Sequence, residues 1–217
     1  MSAPAGGAII VPPPPDPIEC AVFVLKTGTV IHRIHDERFT ANAFNPGFGK
    51  SRFAPFDVAG APIPTQYAGT TLECAIFESI FHDIEPSAPI KSVRWSMIDG
   101  LHYSTVEVTR DLKLARLFAA NLSKWGLERT HLIDTPKSTY DQTRLWSPAL
   151  HQCAQRPDGM IWVSRRYDEE KAMILFRDRV ATAELAPRTT VKVTADSACM
   201  DIVFALAEDA GIDIIRY

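Results

Sequence analysis

The stretch from Thr65 to Ser79, TQYAGTTLECAIFES, does most to restrict what this chain can fold into. A short strand-like run ends at Tyr67, Gly69 supplies a turn, and a helix follows. Thr70 suits the N-cap, and Glu73, three residues on, completes a capping box. Leu72, Ala75, Ile76 and Ile80 recur at the spacing of one buried helical face. Glu78 borders that face, so its carboxylate is incompletely solvated. Glu73 has a capping task and Glu78 has none, which makes Glu78 the first candidate for chemistry.

Around this unit the chain reads as a mixture of strands and helices. Residues 1–18 form a Pro/Gly/Ala-rich lead-in, with Pro12 to Pro15 extended as a tail or a surface strap. Cys20–Leu25 and Thr29–His35 are strand-like, separated by a Lys26-Thr27-Gly28 turn. In the second run Ile31, Arg33 and His35 share one side, and Val30, His32 and Ile34 the other. Arg33 is then flanked by apolar neighbours, where an unpaired guanidinium is expensive. It is either exposed on a surface strand or aimed into an anion site. Residues 44–56, FNPGFGKSRFAPF, form a loop in which Gly47 and Gly49 allow close backbone approach and Lys50 and Arg52 add positive charge; the Walker A spacing is absent.

Further on, Ile90–Met97 and His102–Val108 read as strands and Asp111–Lys124 as an amphipathic helix ended by Gly126. Thr130–Ser138 reads as a loop and Tyr140–Ala154 as a helix. Met160–Val163, ending at Ser164-Arg165-Arg166, Ala172–Phe176 and Thr189–Val193 read as strands. A last helix over Ala198–Asp209 is capped by Asp196 or Ser197 and stopped by Gly211. Strands and helices do not alternate regularly, so the reading is one α+β domain over residues 19–217.

Composition narrows the function. A length of 217 residues suits one substantial core, and 46% hydrophobic with 23% charged residues describes a soluble globular protein. A formal charge of -3 argues against a dominant nucleic-acid footprint. No apolar run nears the roughly 20 residues that span a bilayer, and the N-terminus lacks the basic region of a secretory leader. Cys20, Cys74, Cys153 and Cys199 are scattered without a Cys-x-x-Cys pair, which argues against zinc and against a disulfide framework. The expectation is a cytoplasmic protein with reduced thiols and no metal. His32 and His35 read as ordinary strand residues, since no carboxylate or cysteine has matching ligand spacing.

Taken in order, HRI around Arg33, FNPGFGKSRF ending at Arg52, the Tyr67/Ala75/Glu78 block, DGMIWVSRR with Ser164, and the closing MILFRDR resemble the RES domain. This is the toxin half of bacterial Xre–RES toxin–antitoxin modules. The family takes its name from an Arg, a Glu and a Ser, which fall here on Arg33, Glu78 and Ser164. The resemblance implies an ADP-ribosyltransferase-like mixed β core flanked by helices. It also implies consumption of NAD+ as substrate, with no prosthetic group: the nicotinamide–ribose bond breaks and ADP-ribose passes to water, phosphate or a protein. A helix-turn-helix antitoxin of the Xre type is the implied partner, covering the pocket; a homodimer is left open. Gln66 departs from the plainly hydrophobic strand that family members more often carry before the Tyr.

The residues suit that chemistry. Nicotinamide leaves neutral, so nothing need protonate it. A carboxylate such as Glu78 can stabilise the positive ribose centre. Arg33 and Arg52 can pair with the pyrophosphate, Tyr67 can stack on nicotinamide or pack the ribose, and Ser164 can hydrogen-bond a phosphate or a ribose hydroxyl. Ser164 has no His–Asp partners in sequence, which speaks against a covalent serine mechanism. The rival readings are a protein ADP-ribosyltransferase using the same site and a non-catalytic interaction module on the same fold. A nuclease fits less well, because no carboxylate cluster suggests a divalent metal.

Overall fold

A computed structural model describes residues 10–216. In chain order the elements are β1 (Val22–Leu25), β2 (Val30–Asp36), β3 (Asp57–Val58), β4 (Ala61–Pro62), β5 (Thr65–Gly69), α1 (Leu72–Phe77), β6 (Ser92–Arg94), α2 (Trp95–Asp99), β7 (Leu101–Val108) and β8 (Leu112–Arg116). There follow α3 (Ala119–Lys124), α4 (Arg129–Leu132), α5 (Tyr140–Thr143), α6 (Trp146–Gln152), β9 (Gly159–Val163), β10 (Lys171–Phe176), β11 (Leu185–Lys192), α7 (Ser197–Asp209) and β12 (Asp213–Ile215). The result is an α+β domain built on an eight-stranded mixed sheet, ordered β1-β8-β9-β10-β5-β2-β7-β11. Within it β8 and β9 run parallel and the other neighbours antiparallel.

The sheet curls on itself. β1 and β2 are consecutive in sequence, yet four strands separate them in the sheet. Gly28, at φ +82°, turns the chain between them in a conformation that favours glycine. Its N–H donates to Val108 O at 2.8 Å, and the Val108 N–H donates to Thr29 O at 3.0 Å. The concave side is filled by Leu25, Ile31, Val106, Val108, Leu112, Leu114, Ile161, Met173 and Leu175. Two further cores cover the convex side. One holds Phe53, Trp146, Leu150, Met160, Trp162, Ile174 and Phe176; the other holds Ile34, Leu72, Ala75, Ile76, Phe77 and the inner face of α7. Helix α1 straddles them, giving Cys74 to the first and Leu72, Ala75 and Ile76 to the second.

The first nine residues of the proline-rich lead-in lie outside the described residues. From Ile10 the chain lies across α5 and α6: Val11 and Ile18 are buried, the Val11 N–H donates to Gln142 Oε1, and Trp146 Nε1 donates to Pro12 O, both at 3.0 Å.

Several local expectations are corrected. The cap of α1 is Thr71, whose hydroxyl accepts from Cys74 N; Thr70 instead donates to Glu170 Oε2 and accepts from Lys171 N at the end of β10. Glu73 therefore falls one position short of a capping box. Asp111–Lys124 is not one helix: Leu112–Arg116 is strand β8 between β1 and β9, and only Ala119–Lys124 is helical. Ile90–Met97 contributes strand only over Ser92–Arg94, and Thr130–Ser138 contains the end of α4 and a short 3-10 turn. The helix read over Tyr140–Ala154 splits into α5 and α6. Pro148 has no N–H for Arg144 O, and that carbonyl is met by Ser147 N instead, a tighter i to i−3 bond. Strand β12, parallel to β6, was not expected.

Candidate functional site

The site forms where the sheet lets go of itself. β2 and β5 meet in register only at His32 and Gly69, and beyond that bridge the strands part. The gap is a cleft of about 240 Å³ lined by Arg33, His35, Phe44, Phe48, Thr65 and Tyr67, among others. Arg33 is 8% exposed and donates through Nη1 to Ala41 O at 2.8 Å; Gln66 Nε2 reaches the same carbonyl at 2.9 Å. Burial lowers the Arg33 guanidinium to about 10, which leaves it charged at neutral pH. Gln66, a break in the expected hydrophobic strand, thus holds the segment against which Arg33 is anchored.

Tyr67 points from β5 toward the first convex core, edge-on to Trp162 at 6.1 Å. Its Oη lies 2.9 Å from Ser51 Oγ and accepts from Phe53 N at 3.2 Å, so the phenol ties down the Arg52 loop. Burial pushes its pKa up to about 12, with Arg52 pulling down and Glu78 pushing up. The ring stays neutral, and both charges are close enough to act on it.

Glu78 stands at the C-cap of α1, where that helix emerges between the two convex cores. Gly69 makes the placement feasible: a Cβ there would lie 2.9 Å from Ala75 N, so only glycine lets α1 pack this closely on β5. Ser164, fully buried at the end of β9, donates to Glu78 Oε1 at 2.6 Å. The same Oγ accepts from Arg166 N at 3.3 Å and Tyr167 N at 3.1 Å. These bonds fix the serine rotamer, and the serine fixes the carboxylate.

Cations gather about this pair. Arg52, 8% exposed, reaches Thr135 O at 3.3 Å, and Arg165 reaches the same carbonyl at 2.8 Å. Arg166 donates to Ile84 O and lies within electrostatic range of both Arg52 and Glu78. Among the described residues, none of Arg33, Arg52, Arg165 and Arg166 has a carboxylate within ion-pair distance. Guanidinium groups held by carbonyls and a hydroxyl, without acidic partners, are arranged to receive an external anion.

The RES domain model matches residues 30–196, most of the chain. The chain belongs to the RES-domain family. No curated protein matches this sequence. Among solved structures, a chain from the "M.tuberculosis MbcT-MbcA toxin-antitoxin complex" superposes with a TM-score of 0.59 at 15% identity, covering 82% of this chain and 91% of that one. That likeness shows a shared fold.

Within this RES domain, the five residues singled out in the sequence fall into two linked groups. Glu78 and Ser164 are hydrogen-bonded, and Arg52 joins them through its field at Tyr67. Arg33 faces the cleft on the other flank of Tyr67 and makes no hydrogen bond to Glu78; Arg52, Glu78 and Ser164 do not line that cleft. Tyr67 is the common element. Sequence reasoning missed Ser51, Thr135, Arg165 and Arg166. The two arginines directly follow Ser164 in the SRR run and were open to inference from it; Ser51 and Thr135 act through folded proximity alone.

Proposed function

We propose that this RES domain is the toxin of a toxin–antitoxin pair and that it degrades NAD+ at the nicotinamide–ribose bond. The observation that carries the reading is the Glu78 carboxylate, gripped by the buried Ser164 hydroxyl beside arginines without acidic partners. In this reading Glu78 stabilises the oxocarbenium-like ribose as neutral nicotinamide departs. Ser164 holds the carboxylate in one orientation, so little reorganisation is needed as charge develops. Arg33 and Arg52 pair with the pyrophosphate, and the Tyr67 ring packs the nicotinamide riboside end. The cleft of about 240 Å³ falls below the roughly 300–1,000 Å³ of sites that enclose a whole ligand, which suits one nucleoside half of the dinucleotide. Water or phosphate is the acceptor; transfer to a protein is the rival outcome at the same site.

The partner in this reading is an antitoxin of the Xre helix-turn-helix type that silences the toxin by covering the cleft, its C-terminal end reaching Arg33 or Arg52. A structure of the pair with the cleft open to solvent would defeat that part. The enzymatic reading is tested by incubating inhibitor-free protein with NAD+, with and without phosphate, and following nicotinamide release. ADP-ribose, ADP-ribose 1″-phosphate and labelled protein identify the acceptor. Glu78→Gln is expected to abolish release; undiminished NAD+ with the unaltered protein refutes the proposal.

A further inference from the structure

Cys20 and Cys153 lie far apart in sequence, yet their Sγ atoms stand 3.0 Å apart. That is only about 1 Å beyond a covalent S–S bond of roughly 2.05 Å. Cys20 ends the strap before β1, and Cys153 caps the C-terminus of α6; both are buried in the convex core with Ile18, Trp146 and Leu150. Both cysteines are buried, Cys20 at 6% and Cys153 at 4% exposed, and they differ in acidity and in which one borders the surface. Cys153 lines a surface groove of about 580 Å³ between Pro14–Glu19 and the 145–154 segment, and Cys20 does not. The Cys20 thiol hydrogen bond, with the N–H groups of Gln155 and Arg156, pulls Cys153 down against the opposing effect of burial. The same hydrogen bond and burial push the Cys20 thiol up. Cys74 and Cys199 are pushed up to about 12 and about 11 by burial, and neither has a sulfur neighbour within bonding reach among the described residues.

We infer that Cys20 and Cys153 form a hydroperoxide-reactive dithiol, with Cys153 as the attacking sulfur and Cys20 as the resolving one, whose product is a disulfide stapling the strap to α6. The Cys153 thiolate attacks a peroxide oxygen, the O–O bond breaks, and the leaving oxygen departs as water or alcohol after taking a proton. Cys153 is then a sulfenic acid. Cys20 sulfur attacks it, the S–O bond breaks, and the hydroxyl leaves as water with the Cys20 proton. Two thiols lose two electrons, and one hydroperoxide gains them. The brace falls on the segment that carries the Arg52 loop, since Thr143 Oγ1 donates to Arg52 O at 2.6 Å and Ser147 Oγ donates to Phe53 O at 2.7 Å.

The test treats the purified full chain with hydrogen peroxide, then counts thiols after unfolding and maps peptides without reduction. The four free thiols should fall to two, with a single Cys20–Cys153 peptide that dithiothreitol reverses. Closing so long a loop should raise the melting temperature by roughly 10 °C. Cys20→Ser should stop Cys153 at a sulfenic acid trapped by dimedone; Cys153→Ser should give neither product. The inference is overturned if all four thiols still titrate after peroxide, or if thiols are lost with no cross-linked peptide. None of these readouts depends on NAD+ turnover.

Discussion

Ser164→Ala isolates the link between fold and chemistry. The hydroxyl makes three hydrogen bonds: one to the Glu78 carboxylate at 2.6 Å, and two from the Arg166 and Tyr167 N–H groups at 3.3 and 3.1 Å. A bond to a charged group contributes about 1.5–3 kcal/mol and a neutral one about 1, before allowing for water reaching the freed N–H groups. The expected cost is about 3 kcal/mol. For a chain of this size that lowers the melting temperature by roughly 6–12 °C. The activity effect is separate. Without its donor, Glu78 is free to swing, and an ångström of misplacement costs on the order of 100-fold in rate. Glu78→Gln is the companion variant: it keeps an acceptor for Ser164, so it should lose activity while changing the melting temperature much less. Differential scanning fluorimetry and nicotinamide release measure the two effects. If Ser164→Ala melts within about 1 °C of the unaltered chain and turns over NAD+ within about twofold, the serine does not hold the carboxylate and the reasoning fails.

Three other outcomes are expected. Gly159→Ala should prevent soluble expression, because a Cβ there would stand 2.0 Å from Ile174 O across the β9–β10 ladder; recovery of a folded protein would refute the packing. Arg52→Lys should weaken NAD+ capture about tenfold or more, seen as a raised KM, because an ammonium cannot reproduce the planar fork. An unchanged KM would remove Arg52 from the site. Stability should fall on acidification from pH 7.5 to 5.5. Burial holds the His32, His35 and His151 imidazoles below their ordinary pKa of about 6.5, so the unfolded chain binds more protons in that window and stability rises with pH through it. The contribution is full above about 6.5 and is lost below it. His151→Gln should flatten the melting temperature–pH curve, because His151 Nδ1 is buried with no partner and cannot accept a proton cheaply. A curve that is flat or rises on acidification contradicts this.

Strands whose pattern is local were legible in the sequence. VIHRIH alternates as a half-buried strand should, and Met160–Val163 and Ala172–Phe176 are apolar runs of strand length. The Asp111–Lys124 segment was not. Leu112, Ala115 and Leu122 satisfy a helical period, but Leu112 and Leu114 also alternate, and pairing with β1 and β9 decides between the two readings. The curl was invisible for the same reason: nothing in residues 20–36 states that a tight turn joins strands with four others between them in the sheet. Glu78 could be singled out because it bordered an apolar helix face without a capping role. Its partner Ser164 could be named from the family resemblance, but the 2.6 Å bond between them depends on Gly69 bringing α1 onto β5, a tertiary fact.

The single bridge between β2 and β5 has a consequence for how such a protein changes over time. Phe44 and Phe48 line the cleft from a loop outside the sheet, so replacing them breaks no strand pairing, whereas Arg33 and His35 stay paired with β7, and Thr65 and Tyr67 with β10. The cleft wall can therefore drift at these loop positions without eroding the scaffold, and a library randomised at Phe44 and Phe48 should retain mostly folded members.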